Sequence, residues 1–109
     1  MKLTYWMSLS AALLGSAAAQ ANELTATIET LQIHPPTNSG YVRLTGVPVF
    51  NDGACTSTWA KGDLNDDRFM IYIWPVLMSA KSQGKSVTIS VSDCESGYPR
   101  IAWIQLNST

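Results

Sequence analysis

The chain has 109 residues and a formal net charge of −1, with its few basic residues (Lys2, Arg43, Lys61, Arg68, Lys81, Lys85 and Arg100) scattered along it. That length excludes more than one or two small domains. The scatter of charge excludes the massed basic surface that binding to nucleic acid requires.

Residues 1–21 have the layout of a secretory leader. Lys2 supplies the positive start, Tyr5 to Leu14 the apolar stretch, and Ala19-Gln20-Ala21 the Ala-x-Ala arrangement that signal peptidase reads. The apolar stretch is too short to cross a hydrocarbon layer of ~30 Å, and no cysteine stands beside the cleavage point to take a lipid. The expectation is a leader cleaved after Ala21 and a single domain over residues 22–109, periplasmic or secreted. Cys55 and Cys94 are the only two cysteines, and in an oxidising compartment such a pair forms a structural disulfide. Neither has a third cysteine or a histidine at metal-ligand spacing, so no metal site is expected there.

In chain order, Leu24 to His34 begins as a strand with strict alternation, Leu24, Ala26 and Ile28 against Thr25, Thr27 and Glu29. The apolar phase then slips to Leu31 and Ile33, which predicts a bulge or bend near Glu29 and Thr30. Pro35, Pro36, Asn38 and Gly40 make a turn. Tyr41 to Val49 is the second strand, with Val42 and Leu44 on one face and Tyr41, Arg43 and Thr45 on the other. Asn51-Asp52-Gly53 is a reverse-turn signal that predicts a hairpin to a third strand, Ala54 to Gly62.

The next segment, Phe69 to Met78, is a ten-residue run without charge and with Pro75 inside it. Acidic residues from Asp63 to Asp67 precede it, and Lys81 and Gly84 follow, which are helix start and stop signals. It is too short to span a membrane. A kinked helix is expected, with Phe69, Ile73, Val76, Leu77 and Ala80 on the core face; the rival is a strand from Arg68 to Ile73 followed by a short helix starting at Pro75. On the kinked-helix reading Met70, Trp74 and Met78 form a second apolar stripe, which predicts contact with another copy of the chain.

Val87, Ile89 and Val91 then alternate against Thr88, Ser90 and Ser92 in a fourth strand, and Arg100 to Leu106 is the fifth. The fold class is therefore mainly β with one helix, in the order three strands, helix, two strands. That is the order of the oligonucleotide/oligosaccharide-binding (OB) fold, a five-stranded Greek-key barrel; a flat α+β sandwich is the alternative.

The segments WPVLMSAKSQGKSVTISVSDC and GYPRIAWIQL carry a resemblance. Leu77, Ala80, Lys81, Gly84, Lys85 and Val87 match a helix-to-strand junction in a group of small secreted bacterial proteins. Their layout is similar to that of the binding subunits of subtilase-type and pertussis-like toxins. The likeness covers residues 74–106. It implies a barrel and a ring of subunits, and transfers no glycan-contact residue.

For chemistry, His34 is the only histidine and reads as a turn residue before Pro35. Asp66 and Asp67 read as helix-start acids rather than cation ligands. No phosphate loop, nucleophile elbow or HExxH motif is present, so neither an enzyme nor a cofactor is expected. Aromatic residues offer more. Trp103 fits the barrel or a subunit contact. Tyr41, Arg43, Trp59 and Tyr98, on polar faces or in turns, are the candidate ligand-binding residues for a glycan or a protein. The expected function is a self-associating, non-enzymatic binding module. A structural or envelope-stress protein is one alternative; an inhibitor presenting Pro35 to Gly40 or Glu95 to Pro99 is another.

Overall fold

The computed structural model describes residues 20–108. The strands are β1 (Gln20–Ala21), β2 (Glu23–His34), β3 (Ser39–Leu44), β4 (Val49–Asn51), β5 (Thr56–Ser57), β6 (Ala60–Asp63), β7 (Ser86–Glu95) and β8 (Tyr98–Leu106). A 3-10 turn (Pro35–Thr37) joins β2 to β3. One helix, α1, is made of a π-helical turn (Phe69–Ile73) continued by an α-helical segment (Trp74–Gln83). The expected leader lies outside the described residues except for Gln20 and Ala21, which form β1 and pair with Val49 and Phe50.

Five strands close into a barrel in the order β2-β3-β6-β8-β7. Neighbours are antiparallel except β6 and β8, which run parallel and meet at Lys61 and Arg100. Counting barrel strands alone, the order is first-second-third-fifth-fourth with the helix between third and fourth, the arrangement of the OB fold.

The bend expected near Glu29 and Thr30 is present as a register shift between Ile28 and Thr30. It has a purpose in the barrel. Glu23 to Thr27 pair with β7, and from Ile28 to His34 the strand pairs with β3, the register shift falling just inside that second stretch. One strand thus serves two neighbours, and the bulge turns it from one to the other. Val42, Leu44, Ala60, Val87 and Ile89 fill the interior, and the helix closes one end with Phe69, Trp74, Leu77 and Ala80.

The expected second and third strands are each broken. β3 stops at Leu44, because Gly46 and Val47 both take positive φ (87° and 51°) and turn the chain out of the barrel. The expected Asn51-Asp52-Gly53 turn does make a hairpin, but between β4 and β5, which with β1 form a small separate sheet. The disulfide Cys55–Cys94 forms, with Cα atoms 5.8 Å apart, and ties this hairpin to the end of β7.

Asp52 holds the hairpin turn together. Its Oδ1 accepts from the amides of Cys55 (2.7 Å) and Ala54 (2.8 Å). These bonds, that from Cys55 foremost, hold its carboxyl below the ordinary value of 3.8. A depressed folded-state value means that the stabilisation is complete above the unfolded-state value and is lost as pH falls through the lower folded one. Asp52→Asn is therefore expected to show a shallower fall in thermal midpoint than the parent below about pH 4. Parallel melts at pH 6, 4 and 2.5 check this; identical slopes would exclude the contribution.

Helix α1 is continuous, so the rival strand from Arg68 to Ile73 does not form. Asp66 Oδ1 accepts from Arg68 N at 2.9 Å at its start. Gly84, at φ 66°, caps its end by donating to the carbonyls of Ala80 and Lys81. Proline's missing amide is accommodated by the π turn, where Trp74 N donates to Phe69 O five residues back. Pro75 then falls in the first turn of the α segment, where its lack of an amide is tolerated.

The π turn also corrects the face assignment. It slips the helix phase by one residue, so Trp74 rather than Ile73 follows Phe69 into the core. Trp74 is only 6% exposed and stands 5.7 Å, centroid to centroid, from the Phe69 ring. Trp74 is therefore not on an outer stripe, and Met70 is half-buried against the core. What remains outside is Ile71, Tyr72 and Met78, 60%, 69% and 53% exposed. Among the described residues no helix is long and apolar enough to cross a membrane.

Candidate functional site

Alternation along four barrel strands builds one outward face. Paired strand residues point to the same side of a sheet, and the register sets Gln32 beside Tyr41, Tyr41 beside Lys61, and Lys61 beside Arg100. The inward neighbours on β3 and β6 confirm the phase, since Val42 and Ala60 are wholly buried and directly paired. Two residues along, the same face carries His34, Arg43 and Tyr98, with Trp59 immediately before β6.

All four candidate ligand-binding residues from the sequence come together here. Tyr41 is central: its ring centroid lies 6.3 Å from that of Trp59 and 5.1 Å from that of Tyr98, with interplanar angles of 82° and 64°. Both contacts are edge-to-face, the geometry that aromatic quadrupoles favour. The three rings stand as the walls of a corner and enclose a cleft of about 230 Å³ lined by Gln32, His34, Tyr41, Trp59 and Tyr98. Arg43 places its guanidinium 4.5 Å from the centre of the Trp59 ring, a cation–π contact. Its Nε donates to Glu29 Oε1 at 2.6 Å.

Beside the rings, on the same outward face, is a second ionic group. Glu95 takes Lys61 Nζ at 3.1 Å on one carboxylate oxygen and Arg100 Nε at 3.3 Å on the other. Lys61 is only 6% exposed although it lies on the outer face. A buried ammonium is tolerated only with a partner of this kind.

His34 was read as a turn residue, and its Nδ1 is 3.0 Å from Thr37 Oγ1 within that turn; its ring also lines the cleft. The sequence names neither Gln32 nor Lys61 as a site residue, and Glu95 only as the start of a candidate inhibitor loop. Alternation from Leu31 and Ala60 would have put Gln32 and Lys61 outward, but the approach of Glu95 depends on β6 meeting β8, a long-range pairing with no local signal. Trp103 is exposed on β8 and takes no part in the cleft.

A larger cleft of about 360 Å³ opens where β6 and β8 diverge, lined by Asp63, Asp66, Arg68, Phe69, Asp93, Arg100 and their neighbours. Among the described residues no three His, Cys, Asp or Glu side chains gather as a metal centre would.

Comparison with known proteins returns no matching family model, curated relative or solved structure.

Proposed function

We propose that this chain is an exported, non-enzymatic binding module that seats a sugar ring on the outer face of β3 and β6. The observation that carries this reading is the convergence of Tyr41, Trp59 and Tyr98 around one open cleft. Flat aromatic faces suit the C–H face of a pyranose, and the phenol, amide and imidazole side chains that also line the cleft suit its hydroxyls. The same face and its adjoining loops are where OB folds take oligosaccharides and oligonucleotides, and the near-neutral charge disfavours the latter. A purely structural protein has no need of three half-exposed rings round a cavity.

A glycan microarray on the oxidised protein, followed by calorimetry on the best ligand, tests the reading. Trp59→Ala and Tyr98→Ala are each expected to weaken binding by about tenfold, in line with the loss of an aromatic anchor. Binding unchanged in both variants would remove the site from this face.

Self-association belongs to the same proposal. Ile71, Tyr72 and Met78 are large apolar side chains left exposed on α1, and an apolar patch built from them on neighbouring copies would be a contact surface. Sedimentation of the native chain is expected to give more than one chain per particle, and Ile71→Asp with Tyr72→Ser to give one. A native particle of single-chain mass would end this part of the proposal.

A further inference from the structure

We infer that the aromatic cleft takes an uncharged sugar residue and turns away carboxylated and sulfated ones. This rests on the sugar reading above and narrows it. The groups lining the cleft are an amide, an imidazole, two phenols and an indole, from Gln32, His34, Tyr41, Tyr98 and Trp59. None is a lysine or arginine, the side chains by which proteins hold carboxylate and sulfate.

The cations nearby are already committed. Arg43 is held from two directions, its Nε by Glu29 at 2.6 Å and its guanidinium by the Trp59 ring at 4.5 Å. An acidic ligand drawn to it would meet the Glu29 carboxylate. Lys61 is almost wholly buried and its Nζ is 3.1 Å from Glu95, so it cannot reach up into the cleft without leaving that carboxylate behind. Arg100 shares Glu95 and lines the other cleft, with Asp63, Asp66 and Asp93 beside it.

Each cation close to the rings therefore has a carboxylate at hand, and an anionic sugar would bring a further negative charge toward Glu29 or Glu95. The size of the cleft agrees with a single ring. At about 230 Å³ it falls below the roughly 300–1,000 Å³ that holds a drug-sized molecule.

Ionic strength provides the readout, because exposed charge pairing is screened by salt while stacking and neutral hydrogen bonds are not. The disulfide-bonded protein is applied to an array of galactose-, mannose-, glucose- and fucose-terminated glycans beside sialylated, glucuronylated and sulfated ones. The best ligand is then titrated at 50 and 500 mM NaCl. Neutral termini are expected to bind, with an affinity that changes less than about twofold between the two salts, and acidic termini to stay at background.

Glu29→Gln, which removes the carboxylate charge beside Arg43 and leaves its contact with the Trp59 ring, is expected to add acidic glycans to the bound set. A preference for acidic glycans in the parent, an affinity that falls tenfold or more with salt, or no gain in Glu29→Gln would each overturn the charge assignment while leaving the sugar reading in place. Silence across the whole array would overturn both.

Discussion

Opening the Cys55–Cys94 bridge, by reductant or by Cys55→Ala with Cys94→Ala, is expected to cost about 4 kcal/mol of stability and to abolish ligand binding before it abolishes the fold. The first figure follows from the 39-residue separation of the two cysteines, since a crosslink of that span removes much loop freedom from the unfolded chain. A small domain has about 5–15 kcal/mol in all, so this is a large share.

The second part follows from where the bridge sits. Cys55 is four residues before Trp59, on the hairpin that delivers that ring. Cys94 pairs with Pro99 across β7 and β8, next to the Glu95 and Tyr98 pair. The crosslink therefore ties together the two segments that supply opposite walls of the cleft. The five-stranded barrel, by contrast, is closed by pairing that does not pass through either cysteine's side chain. Urea unfolding with and without reductant, beside titration of the ligand, separates the two effects. A reduced protein of unchanged midpoint would contradict the first, and a reduced protein that binds normally would contradict the second.

Gly62→Ala is expected to destabilise by about 3 kcal/mol, the upper end of the usual range for forcing atoms into a packed interior. Gly40 and Gly62 are paired directly across β3 and β6, both facing inward. A Cβ on Gly62 would overlap Cε1, Cδ1 and Cζ of Phe69, and one on Gly40 would stand 3.1 Å from Trp74 and 3.2 Å from Phe69. The two glycines thus form a slot in the barrel wall that admits the start of α1. Phe69 is only 3% exposed and cannot swing aside into solvent.

In a domain of this size 3 kcal/mol lowers the thermal midpoint by about 12–24 °C. Adding Phe69→Leu to Gly62→Ala makes room for the new methyl group and is expected to recover part of the loss, whereas Phe69→Leu alone destabilises. Additive losses in the double variant would show that the slot and the ring do not interact.

The parts legible in the sequence are those set by neighbours in the chain. Alternation from Leu24 to Ile33 exposed the phase slip that turns β2 from β7 to β3, and alternation in β3 put Tyr41 and Arg43 outward. Two cysteines with no other partner specified the bridge. What was not legible needs the closed barrel. Gly40 and Gly62 read locally as a turn residue and a strand end, and only the pairing of β3 with β6 makes them a slot. Lys61 reads as an ordinary surface cation until the pairing of β6 with β8, and of β8 with β7, brings Glu95 to it. Trp74 was misplaced because a uniform 3.6-residue period was carried through Phe69 to Ile73, where the backbone takes a wider turn.

That wider turn has a consequence for length tolerance. Phe69 and Trp74 are five residues apart and both anchor the barrel end, so the segment behaves as an ordinary helix that has absorbed one surplus residue. Excising exposed Ile71 would set the two anchors four apart, in the spacing a regular α-helix already supplies. The deletion should leave the docked face in register, at the cost of placing Pro75 inside a continuous regular helix, about 3 kcal/mol.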